Sequence, residues 1–165
     1  MIAVVCREPG KLSLEARPLP EPGPGDVLLA IRRLGLCGTD YNIYKGLDPY
    51  LEYPRVMGHE LAAEVLEAPK GSAFAASDPV IVMPYLSCGT CIACRKGRTN
   101  CCVMHQCLGV HCDGGMSERF VVPAENVLPA GDLGLDKAAM VEFLAIGAHA
   151  VRRSRLCPSY RAPDA

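Results

Sequence analysis

Five cysteines lie within the fifteen residues CGTCIACRKGRTNCC, at positions 88–102. Four of them, Cys88, Cys91, Cys94 and Cys102, have the spacing C-x2-C-x2-C-x7-C. Four thiolates in one loop can close a tetrahedral zinc site, with Zn–S distances of about 2.3 Å and no position left for water. The segment therefore predicts a zinc ion that stabilises the fold and takes no part in a reaction. The spacing leaves open whether Cys101 or Cys102 is the fourth ligand.

Two other interpretations of the cysteine cluster are weaker. Bacterial ferredoxins also begin C-x2-C-x2-C, but their next cysteine follows after three more residues and precedes a proline. Arg98 and Thr99 occupy those two positions here, which argues against an iron–sulfur cluster. Reduced thiols without a metal are the remaining alternative, although packing alone hardly explains three cysteines at a regular spacing.

Composition and charge exclude several classes of protein. The chain has 165 residues, of which 50% are hydrophobic, and this size and composition are typical of one globular domain. Its net charge is −1, and the sequence shows no basic face that could bind nucleic acid. The first ten residues, MIAVVCREPG, lack the charged start of a secretory signal, and no apolar run approaches the roughly 18 residues of a membrane helix. We therefore expect a cytoplasmic protein without nucleic-acid or membrane partners, whose cysteines are reduced and available to a metal.

Three shorter segments place metal-binding side chains where a hydrophobic core is expected. They are GLCGTD at 35–40, GHE at 58–60 and VEF at 141–143. Alone, Cys37 is more simply a small core residue, His59 a hydrogen-bonded histidine and Glu142 a solvent-exposed carboxylate. A buried carboxylate, however, is costly unless it is paired or bound to a metal. Together with the cysteine loop, the three segments predict a zinc site of N, S and O ligands with one open position.

The elements that must position these groups are mainly short β-strands. Apolar or alternating runs between turn signals predict strands at 2–6, 12–17, 27–36, 61–66, 79–83, 118–122 and 126–128. Strands of this length and density are typical of a barrel or sandwich. A short helix is predicted at 40–45. The segment 136–153 is apolar on nearly every face and predicts a largely buried helix.

The chain from Met1 to about Val151 resembles the zinc-containing medium-chain alcohol and polyol dehydrogenases. The similarity is carried, in the family's order, by GLCGTDYNIYKG (35–46), YPRVMGHELAAEVLEA (53–68), DPVIVMPYLSCGTCIACRKGRTNCC (78–102), LGVHCDGGMSERFVVP (108–123) and MVEFLAIGAHAV (140–151). The last two segments most resemble the sorbitol, idonate and galactonate dehydrogenases. The resemblance implies a mainly β, GroES-like barrel domain over 1–151, with short helices and a C-terminal helix. It also implies a structural zinc lobe over 85–107, with Cys102 as the fourth ligand.

The resemblance further implies roles for individual residues. Cys37 and His59 match the first two ligands of a catalytic zinc, so two zinc ions are expected in all. Glu60 and Glu142 match acidic residues that lie at that zinc or one water away, and which of them is the third protein ligand stays open. Thr39 matches the residue that takes the alcohol proton. The implied reaction is oxidation of an alcohol, polyol or sugar acid, with zinc as Lewis acid and NAD or NADP as hydride acceptor.

Three features depart from the family pattern. Asn42 stands where many relatives have a histidine of the proton relay, and Phe143 replaces a proline beside Glu142. In addition, no G-x-G-x-x-G turn of a nucleotide-binding domain is present, and the final segment RRSRLCPSYRAPDA (152–165) is unlike the family. We therefore expect a catalytic domain without its Rossmann domain, inactive alone, whose final segment is a truncation, a frameshifted end or a disordered tail.

Two alternatives to this interpretation stay open at the level of the sequence. The chain could be a non-enzymatic zinc-binding β-domain that serves as an interaction or assembly module. It could also form a homo-oligomer, or receive its nucleotide-binding half from another chain. The substrate, the choice between NAD and NADP and the oligomeric state are not determined by the sequence.

Overall fold

The described residues of the computed structural model, 1–154, fold mainly as antiparallel β-sheet. The strands are β1 (Ile2–Glu8), β2 (Lys11–Ala16), β3 (Asp26–Gly35), β4 (Arg55–Val56), β5 (Glu60–Glu67), β6 (Pro79–Val82), β7 (Tyr85–Leu86), β8 (Gln106–Cys107), β9 (Arg119–Pro123) and β10 (Val127–Pro129). The α-helices are α1 (Gly38–Lys45), α2 (Ile92–Arg95), α3 (Leu135–Ala138) and α4 (Val141–Ser154), and short 3-10 helices form at Thr99–Cys101 and Ala124–Asn126. The predicted fold class, mainly β with short helices, is confirmed.

The strands form three sheets, of which the largest positions the candidate site. It has five strands in the order β10-β6-β5-β3-β9, beside a three-stranded sheet β2-β1-β4 and the pair β7-β8. The pairing of β3 with β5 shifts twice in register, and such bulges bend a strand and curl its sheet. The main hydrophobic core lies against this sheet and includes Val27, Leu29, Leu61, Val65 and Val80.

The pairing of β3 with β5 brings together two segments that the sequence separates. Gly35, the last residue of β3, pairs with Glu60, the first residue of β5. Cys37 follows Gly35 and His59 precedes Glu60, so both ligand-bearing segments lie at the same end of the same strand pair. The arrangement places the GLCGTD and GHE segments side by side.

All seven predicted strands overlap strands of the structure, and so does the predicted helix at 40–45 with α1. Strands β4, β7 and β8 were not predicted, because two residues are too few to show alternation.

The helix predicted at 136–153 is wrong in two respects. It is divided into α3 and α4 near Met140, and no residue of α4 is buried. Phe143, Leu144 and Ile146 are between 43% and 54% exposed. Apolar composition leads to burial only where another element covers the helix, and within residues 1–154 no element fully covers these three side chains.

Helix α4 ends at Ser154, one residue beyond the predicted helix end. Residues 152–154 of the predicted tail 152–165 continue α4, and residues 155–165 lie outside the described part of the structure. No helix within residues 1–154 is long and apolar enough to cross a membrane.

Candidate metal centres and active-site cavity

Four predicted cysteine ligands lie together in a lobe that β7 and β8 close at its base. Tyr85 pairs with Cys107 and Leu86 with Gln106, so the lobe begins and ends at this strand pair. The four sulfur atoms lie within 4.8 Å of one another, and they belong to Cys88, Cys91, Cys94 and Cys102. In a tetrahedral zinc–thiolate site the sulfur atoms are about 3.8 Å apart. The distances of 3.5 Å from Cys91 Sγ to Cys94 Sγ and 4.0 Å from Cys88 Sγ to Cys94 Sγ therefore fit a zinc ion.

Backbone amides of the lobe point at the same sulfur atoms. The N–H of Cys91 donates to Cys88 Sγ (3.4 Å), and the N–H of Cys94 donates to Cys91 Sγ (3.5 Å). Cys102 Sγ accepts from the N–H groups of Cys88 and Met104, each at 3.3 Å. Such bonds stabilise thiolates and fix their positions in the loop. Cys101 is exposed and does not belong to this group.

The pKa values of these thiols are consistent with a site that binds a cation. The backbone hydrogen bond from Cys91, with help from Thr90, lowers the pKa of Cys88 to about 6. Desolvation, followed by the neighbouring thiols, raises the pKa of Cys94 to about 12. The backbone hydrogen bond from Cys94 also lowers the pKa of Cys91. Thiolates at Cys88 and Cys91 are therefore favoured, whereas four thiolates in one loop require a positive charge among them.

A second group of metal-binding atoms lies at the end of β3 and β5. The distance from Cys37 Sγ to His59 Nε2 is 3.0 Å. Cys37 caps helix α1: its sulfur accepts the N–H of Thr39 (3.3 Å), and its own N–H donates to Asp40 Oδ2 (3.0 Å). This reciprocal capping fixes the sulfur at the start of the helix. Sulfur and nitrogen ligands of one zinc are about 3.5 Å apart, so a small separation of the two atoms would admit the ion.

Asp40 belongs to this second group, and the sequence analysis missed it as a site residue. Its carboxylate, the Cys37 sulfur and the His59 ring lie within 4.8 Å of one another. Asp40 Oδ1 lies 3.9 Å from His59 Nδ1, and both atoms are buried without a hydrogen-bond partner. The carboxylate favours a proton on Nδ1, which leaves the lone pair of Nε2 directed toward Cys37. An aspartate three residues after a capping cysteine was the available sequence signal, since N3 acids close capping boxes.

Glu60 is buried directly beside this group. A Cβ atom at Gly35 would overlap Glu60 Oε2, so the glycine makes room for the carboxylate. Burial raises the pKa of Glu60, the charges of Glu142 and Asp40 raise it further, and His59 opposes them. A carboxylate in this position gains stability from a nearby cation, because the cation offsets the loss of water.

Glu142 reaches the site from the first turn of α4, and it lies outside the compact group around Cys37. Its Oε1 atom accepts a hydrogen bond of 2.6 Å from the hydroxyl of Tyr85 on β7. Burial raises the pKa of Tyr85, and the hydrogen bond and charge of Glu142 raise it further, so the phenol stays a donor.

One cavity of about 430 Å³ contains all five residues predicted for the catalytic site. Its lining consists of Cys37, Thr39, His59, Glu60, Tyr85, Cys107, Val110, Glu142, Phe143 and Ile146. Asn42 is exposed and is not part of this lining. Sulfur, imidazole and carboxylate donors thus face one space that is large enough for a small substrate.

Comparison with known proteins places this geometry in a family. A profile of the alcohol dehydrogenase GroES-like domain matches residues 23–132. L-galactonate-5-dehydrogenase of Escherichia coli K12 is 42% identical over 159 residues, which are 96% of this chain and 47% of that protein. The chain belongs to the zinc-type medium-chain alcohol and polyol dehydrogenases and corresponds to their GroES-like domain, which confirms the resemblance inferred from the sequence.

Solved structures agree with this assignment. Galactitol-1-phosphate dehydrogenase from Escherichia coli superposes with a TM-score of 0.86 at 30% identity, over 95% of this chain and 46% of that one. The alcohol dehydrogenase RspB from Escherichia coli CFT073, solved with NADH, gives a TM-score of 0.84 at 36% identity, over 93% and 45% of the two chains. The chain thus spans about half the length of the relatives that it matches.

Proposed function

We propose that this chain is the zinc-binding, substrate-side domain of an NAD(P)-dependent dehydrogenase that oxidises a secondary alcohol of a polyol or sugar acid. The observation that carries the proposal is the 3.0 Å approach of Cys37 Sγ to His59 Nε2 in a cavity that also contains Glu60 and Glu142. The relatives named above, which act on galactonate and galactitol 1-phosphate, support this class of substrate.

Two zinc ions have different places in this proposal. The first would be held by Cys88, Cys91, Cys94 and Cys102 as a structural element of the domain 1–151. The second would be held by Cys37, His59 and a carboxylate from Glu60 or Glu142, with one position open to the substrate. When bound there, zinc supplies the Lewis acidity that lowers the pKa of an alcohol ligand.

Residues of the chain bind and orient the substrate around that position. Thr39 lies on the cavity wall, and its backbone N–H donates to Cys37 Sγ at 3.3 Å, so the residue lies next to the sulfur ligand. Thr39 Oγ1 would accept the proton of the substrate hydroxyl. Asn42 does not titrate, so the proton would pass from Thr39 to solvent. Val110, Phe143 and Ile146 form an apolar part of the wall.

The hydride acceptor requires a further unit. Dinucleotides bind at the strand ends of parallel sheets, with a glycine-rich turn at the phosphates. Within residues 1–154 every pair of strands is antiparallel. We therefore assign NAD or NADP binding to a nucleotide-binding unit outside these residues, in the same protein or in another chain. The non-enzymatic alternative is not favoured, because burying carboxylates beside a thiol and an imidazole costs free energy, and a purely structural domain gains nothing from it.

A chimeric enzyme tests this function directly. Residues 1–151 would be joined to the second half of the Escherichia coli L-galactonate-5-dehydrogenase, and reduction of NAD and NADP would be measured over a panel of polyols and aldonates. We expect zinc-dependent turnover that is lost in the His59→Ala chimera. A folded chimera that binds two zinc ions and cofactor but oxidises none of these substrates would contradict the proposal.

A further inference from the structure

We propose that Tyr85 is a positioning residue that holds the Glu142 carboxylate at the open metal site. The inference rests on the proposed function, since it assumes that a metal binds at Cys37 and His59. It assigns a task to a side chain that lines the cavity without being a metal ligand or a proton carrier. The Tyr85 hydroxyl donates to Glu142 Oε1 at 2.6 Å across 57 residues of sequence.

Tyr85 is the better-anchored partner of this pair. Its backbone pairs with Cys107 in the two-stranded sheet, and its carbonyl oxygen accepts a hydrogen bond of 3.0 Å from Nδ2 of the buried Asn126. Its ring stacks on His105, with ring centroids 5.8 Å apart and an angle of 23° between the planes. Backbone and ring are therefore held independently of Glu142.

Glu142 is the partner that needs to be held. It lies in the first turn of α4, a helix without a buried residue, so packing alone does not fix the direction of its side chain. Glutamate also has three side-chain torsions to restrict, which makes an unanchored carboxylate an imprecise ligand. The hydrogen bond from the anchored phenol selects one orientation of the carboxylate and occupies one of its oxygens.

The occupied oxygen leaves Glu142 Oε2 for the metal or for a water bound to it. Cys37, His59 and Glu60 line the same cavity as Glu142, so the other donors border the same space as this carboxylate. Partners that orient a ligand in this way typically contribute about 10–100-fold to metal affinity. Tyr85 would act on the metal only through Glu142, and this distinguishes it from the proposed ligands.

Cobalt binding separates this role from a general effect on folding. The purified 165-residue chain would be titrated with Co²⁺, and the visible spectra of the four-cysteine site and the Cys37 site would be followed separately. Tyr85→Phe removes only the hydroxyl. We expect this change to weaken Co²⁺ binding at the Cys37 site by about 10–100-fold and to shift its ligand-field bands. The four-cysteine spectrum should stay unchanged, which also shows that the variant is folded.

Two further variants make the test specific. Tyr50→Phe removes a phenol hydroxyl from an exposed tyrosine outside the cavity lining and should leave both sites as in the wild type. Glu142→Ala should weaken the Cys37 site, and adding Tyr85→Phe to it should have no further effect, because residues that act as one unit are not additive.

The outcomes distinguish this inference from the proposed function. Absence of a second Co²⁺ in the wild type would overturn both. Two bound ions in the wild type, with unchanged affinity and spectrum in Tyr85→Phe, would overturn the positioning role alone. If Tyr85→Phe lowers the Co²⁺ affinity of the Cys37 site equally in the wild type and in Glu142→Ala, the tyrosine does not act through the carboxylate.

Discussion

Cys37 Sγ and His59 Nε2 lie 3.0 Å apart because Cys37 follows β3, His59 precedes β5, and these two strands are neighbours in the sheet. The backbone pairing of Gly35 with Glu60 sets this distance, and the capping of α1 by Cys37 sets the direction of the sulfur. Asp40 lies next to Nδ1 of the imidazole, and the Glu60 carboxylate packs against Gly35. The positions of both carboxylates therefore depend on the same strand pairing.

Replacement of single cysteines tests the ligand set of the lobe. Cys102→Ser should lower the zinc content of the purified chain by about one equivalent and destabilise the lobe, because a structural site contributes directly to folding. Cys101→Ser is the matched control, since Cys101 is the neighbouring residue and is exposed. Zinc would be measured by elemental analysis. Loss of zinc in Cys101→Ser and retention in Cys102→Ser would show that the fourth ligand is misassigned.

Gly35→Ala should disturb the second site without a change to any donor atom. The new Cβ would overlap the Glu60 carboxylate, and relief of such overlap typically costs about 1–3 kcal/mol of stability. We expect weaker zinc binding at Cys37 and a lower free energy of unfolding. The chain has no tryptophan, so circular dichroism in urea is the suitable measurement.

Gly134→Ala is the control for this glycine, because a Cβ there meets no atom within 4 Å. If Gly35→Ala has the same stability and zinc affinity as the wild type, the Glu60 carboxylate does not pack against Gly35 in solution.

The buried Glu60 predicts a dependence of stability on pH when only the cysteine loop holds zinc. Burial raises the pKa of Glu60 in the folded chain, so the folded state favours the protonated carboxyl more than the unfolded state does. The contribution of Glu60 to stability should therefore be greatest below the ordinary pKa range of glutamate and should be lost as the pH rises through the folded-state pKa.

Substitution of Glu60 by glutamine should reduce this loss of stability with increasing pH. Urea unfolding of both proteins from about pH 5 to about pH 8, with one equivalent of zinc added, makes the comparison. Glu67→Gln, at an exposed position on the same strand, should behave as the wild type. An identical pH profile in Glu60→Gln would remove Glu60 as the source of the effect.

Cofactor binding is expected to be absent from the isolated 165-residue chain. Holding the hydride acceptor in reacting geometry is worth about 7–11 kcal/mol of activation free energy, and residues 1–154 contain no parallel strand pair to hold a dinucleotide. Titration calorimetry with NAD and NADP should show no saturable binding, and assays with polyols, aldonates and simple alcohols should show no turnover. Micromolar binding of either cofactor would locate a nucleotide site in this chain.

Much of the fold could be predicted because its signals are local. The cysteine spacing lies within one loop, and each long strand shows its apolar pattern within a few residues. The same holds for Cys37 and His59, whose neighbouring residues carry the resemblance to the family. These features need no knowledge of distant contacts.

Other features could not be predicted because they depend on contacts between distant segments. Asp40 becomes part of the site only through the position of His59, and Tyr85 meets Glu142 across 57 residues. The exposure of α4 has the same origin. Its apolar residues predict burial, but burial requires a covering element, and within residues 1–154 no element fully covers Phe143, Leu144 or Ile146.

Zinc titration of the purified chain tests the central claim most directly. We predict two bound zinc ions per chain, of which the second is weaker because an open site has fewer protein ligands. His59→Ala should remove the second ion and retain the first, whereas His149→Ala, at an exposed position of α4, should retain both. A His59→Ala protein that still binds two zinc ions would contradict the assignment of the Cys37–His59 site.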